Sequence, residues 1–305
     1  MESIPHSHDL HKYEEEKTMA NFDIYKMITD RIIAELKNGI IPWHKPWFSK
    51  DGAVSHVNGK SYSMLNQMLL GCSGEWLTFA QAEKEGGKVK KGEKGSIVVF
   101  WKFLDKKTGE VDDKGNEIIE HIPFLRYITV FEVGQCENIK RKYEAKTTDT
   151  VPDAEAQKIF DAYVTREGIK VNEGEQAFYR PSADSITLPN INRFAKVAEY
   201  YSTAFHEAIH STGAEKRLNR EGVTGLSFFG SHEYSKEELI AELGTSMILN
   251  RIGMETPSSF KNNTAYIQSW LKRLEGDTKF IVSSASKAEK AVKFLFGDTT
   301  EEEVA

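Results

Sequence analysis

Two histidines four residues apart, His206 and His210, stand in the segment YSTAFHEAIHSTG, with Glu207 directly after the first of them. The surrounding residues predict a long α-helix that ends at Gly213. Residues four apart lie on the same face of a helix, so both imidazoles can point at one metal ion. Because imidazole nitrogen is a preferred ligand of zinc, the spacing predicts a zinc site on this helix.

Glu207 has a different position on this predicted helix. It is rotated by about 100° from His206, because an α-helix has about 3.6 residues per turn. That rotation places it close to the metal but unsuited to binding it together with both histidines. It suits a general base that takes a proton from a water molecule activated by the metal. We therefore predict that Glu207 is the catalytic residue of a zinc-dependent hydrolase.

A catalytic zinc site needs a third protein ligand. The sequence continues as HEAIHSTGAEK, and Lys216 stands where the metzincin pattern has its third histidine. An ammonium group does not bind zinc at neutral pH, so this route is closed. Downstream, KEELIAEL predicts a helix with Glu238 and Glu242 on one otherwise apolar face. Carboxylates on the inner face of a helix are costly unless they are paired or bind a metal.

We therefore predict that Glu238 is the third zinc ligand. Glu242 is predicted to accept a hydrogen bond from the second nitrogen of a liganding histidine. Three alternatives for the third ligand stay open, namely Glu242 itself, Glu237 and His232.

The first half of the chain has a lysine-rich segment around an aromatic strand. Residues 84–107 contain eight lysines and three acidic residues. This combination suits single-stranded nucleic acid, because ammonium groups contact phosphates and bases stack on rings. Trp43 and Trp47, in the Pro-rich loop IPWHKPWF, are predicted to add stacking surface. The predicted DNA contacts are Lys88, Lys90, Lys91, Lys94, Phe100 and Trp101.

The periodicity of the chain predicts an α+β protein of two domains. The first domain has helices packed on a small antiparallel sheet, whose strands KGSIVVFWKF and IPFLRYITVFEV are separated by the turn-rich segment DKKTGEVDDKGNE. The second is mostly helical and contains an extended strand, SADSITLP, predicted to hold substrate by edge pairing. The polar segment ENIKRKYEAKTTDTVPD marks the boundary. The predicted divisions are a flexible leader (1–20), a first domain (21–147), a second domain (148–297) and an acidic tail (298–305).

The distribution of charge and the composition restrict which partners and which cellular compartment are expected for the protein. Residues 21–146 carry 20 basic and 17 acidic residues, whereas residues 147–305 carry 18 and 24, so we expect the second half to contribute little to DNA binding. No secretory signal or membrane-spanning stretch is expected. The two cysteines, Cys72 and Cys136, lie far apart and are not expected to bind the metal. A cytoplasmic protein is the expectation.

Several spaced motifs together resemble the antirestriction protein ArdC family. In the first half these motifs are WLTFAQAEKEGGKVKKGEKGSIVVFWKF and YITVFEVGQCENI. In the second half they are PSADSITLP, YYSTAFHEAIHSTGAEKRLNR and YSKEELIAELG, and the resemblance covers residues 21–297. It implies a domain that binds single-stranded DNA followed by a zincin-like metallopeptidase domain. It also implies that His206, His210 and an acid of EELIAE hold zinc and that Glu207 is catalytic.

The resemblance further implies protection of incoming DNA from host restriction, carried by a mobile genetic element. A protein or peptide is then the expected substrate of the metal site. The alternative is a protein that coats single-stranded DNA without proteolysis and whose zinc site is structural or vestigial. Both interpretations keep the same metal ligands, so the sequence does not separate them.

Overall fold

The computed structural model describes residues 23–38, 40–44, 52–111, 117–143, 152–194, 196–225, 232–254 and 264–298. The predicted leader and the tail after residue 298 lie outside these ranges. The predicted domain boundary falls in residues 144–151, which also lie outside them. The described residues form an α+β structure with a small sheet in the first half and a mostly helical second half, as predicted.

In the described residues of the first half, an amphipathic helix is followed by a mixed sheet. Its helices are α1 (Ile24–Lys37), α2 (Met64–Leu70) and α3 (Phe79–Lys84). Its strands are β1 (Ala53–Ser55), β2 (Gly74–Leu77), β3 (Lys88–Val89), β4 (Ser96–Val111), β5 (Glu117–Glu132) and β6 (Cys136–Glu137). The sheet order is β1-β2-β5-β4, and β3 pairs separately with β6. The predicted antiparallel arrangement holds for β2, β5 and β4, whereas the short β1 pairs in parallel with β2.

Strands β4 and β5 form a long antiparallel ribbon. Their pairing begins at Ser96 and Val130 and continues past Lys107 and Ile119, with an irregularity before Val111. Much of the predicted turn-rich segment is therefore strand, because pairing between two long strands overrides the local turn signals of its polar residues. Val99 is buried, but residues 100–104 of β4 are all exposed. The ribbon thus extends beyond the core of the first half.

The second half places helices around a three-stranded sheet. Its helices are α4 (Pro152–Glu167), α5 (Val197–Thr212), α6 (Glu221–Thr224), α7 (His232–Ile252), α8 (Thr264–Gly276) and α9 (Phe280–Phe296). Its strands are β7 (Lys170–Glu173), β8 (Phe178–Arg180) and β9 (Ser185–Leu188). The sheet order is β7-β9-β8, so β9 is central and β8 is an edge strand. Helices α5 and α7 pack against each other, and α9 packs against both.

One large core of buried apolar side chains joins the two halves. It includes Ile28, Ile32 and Leu36 of α1 together with Trp270 of α8 and Phe280 of α9. A hydrogen bond from Thr29 Oγ1 to the carbonyl oxygen of Thr278, 2.8 Å long, supports the same contact. Helix α1 is therefore held by α8 and α9, the last two helices of the described residues. No helix within the described ranges is both long and apolar enough to cross a membrane.

Candidate metal centre and nucleic-acid surface

Helix α5 brings the two histidines to one point. His206 Nε2 and His210 Nε2 lie 3.1 Å apart, and the two imidazole rings meet edge to face. Helix residues that directly precede the histidines, Phe205 and Ile209, are fully buried in the core. The histidine side chains retain only 15% and 14% exposure. The predicted helix and its histidine face are thus present, in a nearly buried site.

Glu238 completes this arrangement from the neighbouring helix α7. Its two carboxylate oxygens lie 3.6 Å from His206 Nε2 and 3.5 Å from His210 Nε2. Ligand atoms about 2.0–2.1 Å from a tetrahedral metal are about 3.3 Å from one another, which these separations match. Across the described ranges, these three residues form the group whose ligand atoms converge within 4.8 Å. The geometry fits a divalent metal with Glu238 as third ligand.

Glu237 supports the cluster from outside. Its Oε1 lies 3.2 Å from His210 Nδ1, the nitrogen that points away from the converging atoms. We predicted this supporting position for Glu242, and for His210 that prediction is wrong. His206 Nδ1 is buried and has no hydrogen-bond partner within the described residues, so Glu242 does not take that position there either. The side chain of His232, the remaining alternative ligand, lies outside the described residues.

A buried arginine holds Glu237 in place. Arg220 Nε and Nη2 donate to the two carboxylate oxygens of Glu237 at 2.9 and 2.6 Å. The same guanidinium donates to Thr212 Oγ1 and to the carbonyl oxygen of Ile209, each at 2.7 Å. Burial alone raises the pKa of Glu237, but Arg220 and then His210 outweigh it and lower the pKa to about 2. No sequence pattern pointed to Arg220, because an arginine after a helix is ordinary.

The carboxylates around the histidines make the site attractive to cations. Burial lowers the pKa of His206, but Glu238, Glu242 and Glu207 outweigh it and raise the pKa to about 9. A proton or a metal ion at this position therefore meets a strongly negative environment. A metal ion that binds here must displace the proton of His206, so its affinity depends on pH.

Glu207 lies beside the three ligands and contacts the edge strand. Its side chain is 8% exposed, and its Oε2 accepts a hydrogen bond from the backbone nitrogen of Tyr179 at 2.8 Å. Tyr179 belongs to β8, which is the edge of the three-stranded sheet. The prediction of edge pairing by the SITL strand is wrong, because that strand, β9, is bonded on both sides. Within the described residues, β8 is the edge strand beside Glu207, and its Tyr179 N–H donates to that carboxylate.

Lys216, which closed the metzincin route, has a structural partner. Its Nζ lies 2.8 Å from Oδ2 of Asp184, and the buried Arg217 binds the same carboxylate. Tyr179 donates its hydroxyl to Asp184 at 2.7 Å. Burial, followed by the hydrogen bond to Asp184, raises the pKa of the Tyr179 phenol. This network anchors β8 to the loop that follows α5.

The structure separates the predicted DNA contacts into two places. The four lysines lie in and after β3, where Lys88 pairs with Glu137 and Lys90 donates to the carbonyl of Gly134. Phe100 and Trp101 lie farther along β4 and are 42% and 43% exposed. Neighbouring strand residues point to opposite faces, so the two rings cannot line one groove on a single face. The alternation of side chains along a strand indicates from the sequence alone that two adjacent rings point to opposite faces.

The tryptophans of the Pro-rich loop do not provide the predicted stacking surface. Trp43 is fully buried and packs edge to face against Trp270 of α8. Its burial is explained by the shared core, which is a long-range contact that the local sequence does not show. Trp47 lies outside the described residues.

Two family models match the chain. Residues 22–131 match the N-terminal domain of anti-restriction factor ArdC. Residues 155–287, which contain the three converging ligands, match a zincin-like metallopeptidase.

Curated relatives align over most of the chain. Two Escherichia coli proteins named DNA primase TraC are each 32% identical to it, over 292 and 289 residues. The alignments cover 89% and 87% of this chain but only 27% and 19% of the relatives, so the chain spans less than a third of their length. An uncharacterised protein of Sinorhizobium fredii is 30% identical over 289 residues, with 90% of this chain and 91% of that protein covered.

The solved structures include one protein in two metal states. The metal-free structure of the antirestriction protein ArdC from plasmid R388 is 34% identical, with a TM-score of 0.71, and covers 92% of this chain and 100% of its own. The Mn(II)-bound structure is 33% identical, with a TM-score of 0.73, and covers 92% and 99%. The similarity therefore extends over both halves of the fold and over nearly all of that protein.

Proposed function

This chain belongs to the ArdC family of antirestriction proteins, and we propose that it binds single-stranded DNA and hydrolyses a protein or peptide at a zinc centre. The ligands of that centre are His206, His210 and Glu238, and Glu207 is the general base. The biological role is protection of incoming mobile-element DNA from host restriction. The observation that carries the proposal is the position of Glu207, beside three converging ligands and in contact with the edge strand β8.

The donor set supports zinc as the metal. Two imidazoles and one carboxylate are a ligand set of catalytic zinc sites, whereas manganese favours more oxygen ligands. The related ArdC structure is Mn(II)-bound, which supports binding of a divalent metal by this fold. Zinc bound here would supply Lewis-acid polarisation of a carbonyl group and of a water molecule.

The protein's own groups then have distinct tasks. Glu207 accepts a proton from water and returns it to the leaving amine. Glu237 holds His210 in the tautomer that presents Nε2, and Arg220 keeps Glu237 ionised. An extended peptide that pairs with the outer edge of β8, in place of the bond between Tyr179 N and Glu207, would lie beside Glu207.

Single-stranded DNA binding is supported by different observations. The first half matches a domain of ArdC, and most of the chain aligns with part of a DNA primase, which is a protein that acts on DNA. Exposed rings on β4 are available for stacking on bases, and the lysines in and after β3 are available for phosphate contact.

A second candidate is a DNA-coating protein without proteolysis. It is favoured by the hydrogen bond between Glu207 and Tyr179 N, because that bond occupies a backbone donor of β8 and the carboxylate together. A purely structural metal is disfavoured, because the metal-free and the Mn(II)-bound structures of ArdC superpose on this chain about equally well.

The experiment compares Glu207→Gln with the exposed control Glu215→Gln. Both variants should keep the metal and the affinity for single-stranded DNA, since neither residue is a ligand. Incubation with a peptide library, followed by mass spectrometry, should show cleavage products for the wild type and the control only. A parallel assay measures survival of incoming DNA in a restricting host. Full DNA protection by Glu207→Gln would establish the coating function instead.

A further inference from the structure

A cavity of about 710 Å³ lies between the β4 strand of the first half and helix α9 of the second half. Trp101 lines it from β4 and Tyr25 lines it from α1. Pockets that bind small ligands have volumes of about 300–1,000 Å³, so the cavity is large enough for a nucleotide. The sequence did not indicate this site, because its walls come from opposite ends of the chain.

The charged lining of the cavity is mostly positive. Three lysines line the cavity from the N-terminal end and one face of α9, namely Lys279, Lys287 and Lys290. One carboxylate, that of Glu221, also lines the cavity. Lys287 and Lys290 are three apart and therefore neighbours on the helix surface. None of the three lysines has an ion-pair partner within the described part of the chain, although Lys279 lies 5.4 Å from the centre of the Tyr25 ring.

The remaining basic residue of the lining already has hydrogen-bond partners of its own. Arg220 also lines the cavity, but its guanidinium is taken up by Glu237, Thr212 and a backbone carbonyl. The cavity thus places ammonium groups that have no ion-pair partner in the described residues close to the half-exposed indole of Trp101. A bound anion would stabilise this arrangement.

We propose that this cavity binds a nucleotide unit of single-stranded DNA, with a base stacked on Trp101 and the phosphates against the lysines of α9. Aromatic rings beside lysines recognise this chemistry without preference for base identity. The inference rests on the proposed DNA-binding function and locates it. It also gives the acidic second half a direct role, contrary to the expectation from its net charge.

The position of the cavity extends the surface that the sequence predicted. Trp101 lies five residues beyond Ser96, the first residue of β4, which corresponds to about 17 Å at about 3.3 Å per residue. The lysines after β3 therefore stand at one end of this path and the lysines of α9 at the other. A single strand that follows β4 contacts both halves of the protein.

The test uses the full chain and a fluorescent oligothymidylate, with anisotropy measured at several salt concentrations. Lys287→Ala/Lys290→Ala should weaken binding about tenfold and reduce the salt slope by about 1.4, since each single-strand phosphate contact contributes about 0.7. Trp101→Ala should weaken binding by about tenfold with an unchanged salt slope. The matched control, Lys158→Ala/Lys272→Ala, removes two exposed helical lysines that do not line the cavity. It should bind like the wild type.

The outcomes separate the two proposals. If the α9 variant binds like the wild type while Lys90→Ala/Lys91→Ala binds weakly, the cavity assignment is wrong and the DNA-binding function stands. If the wild type itself does not bind at low salt, the DNA-binding function fails and the cavity assignment fails with it. Circular dichroism must show that each variant is folded.

A second measurement does not depend on variants. An oligonucleotide with photoreactive thymidine analogues, crosslinked to the wild type and digested, should yield adducts on Trp101 or on peptides of α9. Adducts confined to the segment that carries Lys88, Lys90, Lys91 and Lys94 would overturn the assignment. A mononucleotide added in the same concentration should not compete, because it lacks the contacts along β4.

Discussion

The indole rings of Trp43 and Trp270 pack edge to face with their centroids 5.3 Å apart. Trp43 is fully buried and Trp270 is 4% exposed. One ring comes from the first half of the chain and the other from the second, so the contact makes the two halves share one core. A fragment that ends near residue 147 would expose Trp43 and the inner face of α1.

Replacing Trp43 tests this shared core. Trp43→Ala should lower the free energy of unfolding by about 3–5 kcal/mol, because it leaves a large cavity between the halves. The control Trp101→Ala removes an exposed ring and should cost less than about 1 kcal/mol. Urea denaturation followed by circular dichroism measures both. Similar costs for the two variants would show that the halves are stabilised separately.

Two neighbouring glutamates on α7 should differ in their effect on the metal. Glu238→Gln should abolish stoichiometric metal binding, because Glu238 supplies the third converging ligand. Glu242→Gln leaves the three ligands unchanged and should keep the metal. Metal analysis of the purified variants after dialysis distinguishes them. Retention by Glu238→Gln together with loss by Glu242→Gln would reverse the assignment.

Glu237 should matter for the metal although it does not bind it. Glu237→Gln weakens the hydrogen bond to His210 Nδ1 and leaves Arg220 without a carboxylate. We expect metal affinity to fall by about 10- to 100-fold. Competition with a chelator of known affinity gives the value. A folded variant with wild-type affinity would contradict the supporting role.

Gly244 sets the distance between the two metal-binding helices. A Cβ atom at this position would lie 2.9 Å from Cδ1 of Ile209, which is fully buried on α5. Gly244→Ala should therefore cost about 1–3 kcal/mol and weaken metal binding by moving α7. The double variant Gly244→Ala/Ile209→Val should recover part of both losses. Urea denaturation and chelator competition test this, and failure to recover either quantity would argue against the contact.

Asp184 should make stability depend on pH in the acid range. Burial raises its pKa, but Arg217, Lys216 and Tyr179 outweigh it and hold the pKa of this carboxyl well below its usual range. A depressed pKa in the folded state stabilises the fold fully above the unfolded value of about 3.9, and this stability is lost as the pH falls below it.

The matched variant for this effect is Asp184→Asn. Asp184 has a φ of 43°, a left-handed conformation that asparagine tolerates. The variant should be about 2 kcal/mol less stable than the wild type at about pH 7. The difference should shrink between about pH 4 and pH 3, as measured by urea denaturation. A difference that grows towards low pH would have the wrong sign.

The spacing of residues in the chain was sufficient to predict the local geometry of the candidate metal site. The four-residue spacing of the histidines in HEAIH places both on one helix face, and this follows from the 3.6-residue period of the α-helix alone. The same reasoning predicted the position of Glu207 and the α+β class. The α+β class is confirmed and the shared helix face is present, because each depends on residues close together in the chain.

Tertiary structure decided which partner each of these groups meets. Periodicity describes a helix about its own axis, but the rotation of α7 against α5 depends on close packing such as that of Gly244 on Ile209. That rotation brings Glu238 to the histidines and Glu237 to Arg220. The burial of Trp43 and the assembly of Trp101 with the lysines of α9 likewise depend on contacts between distant parts of the chain. No local pattern encodes such contacts, since they arise from burying the apolar faces of both halves in one core.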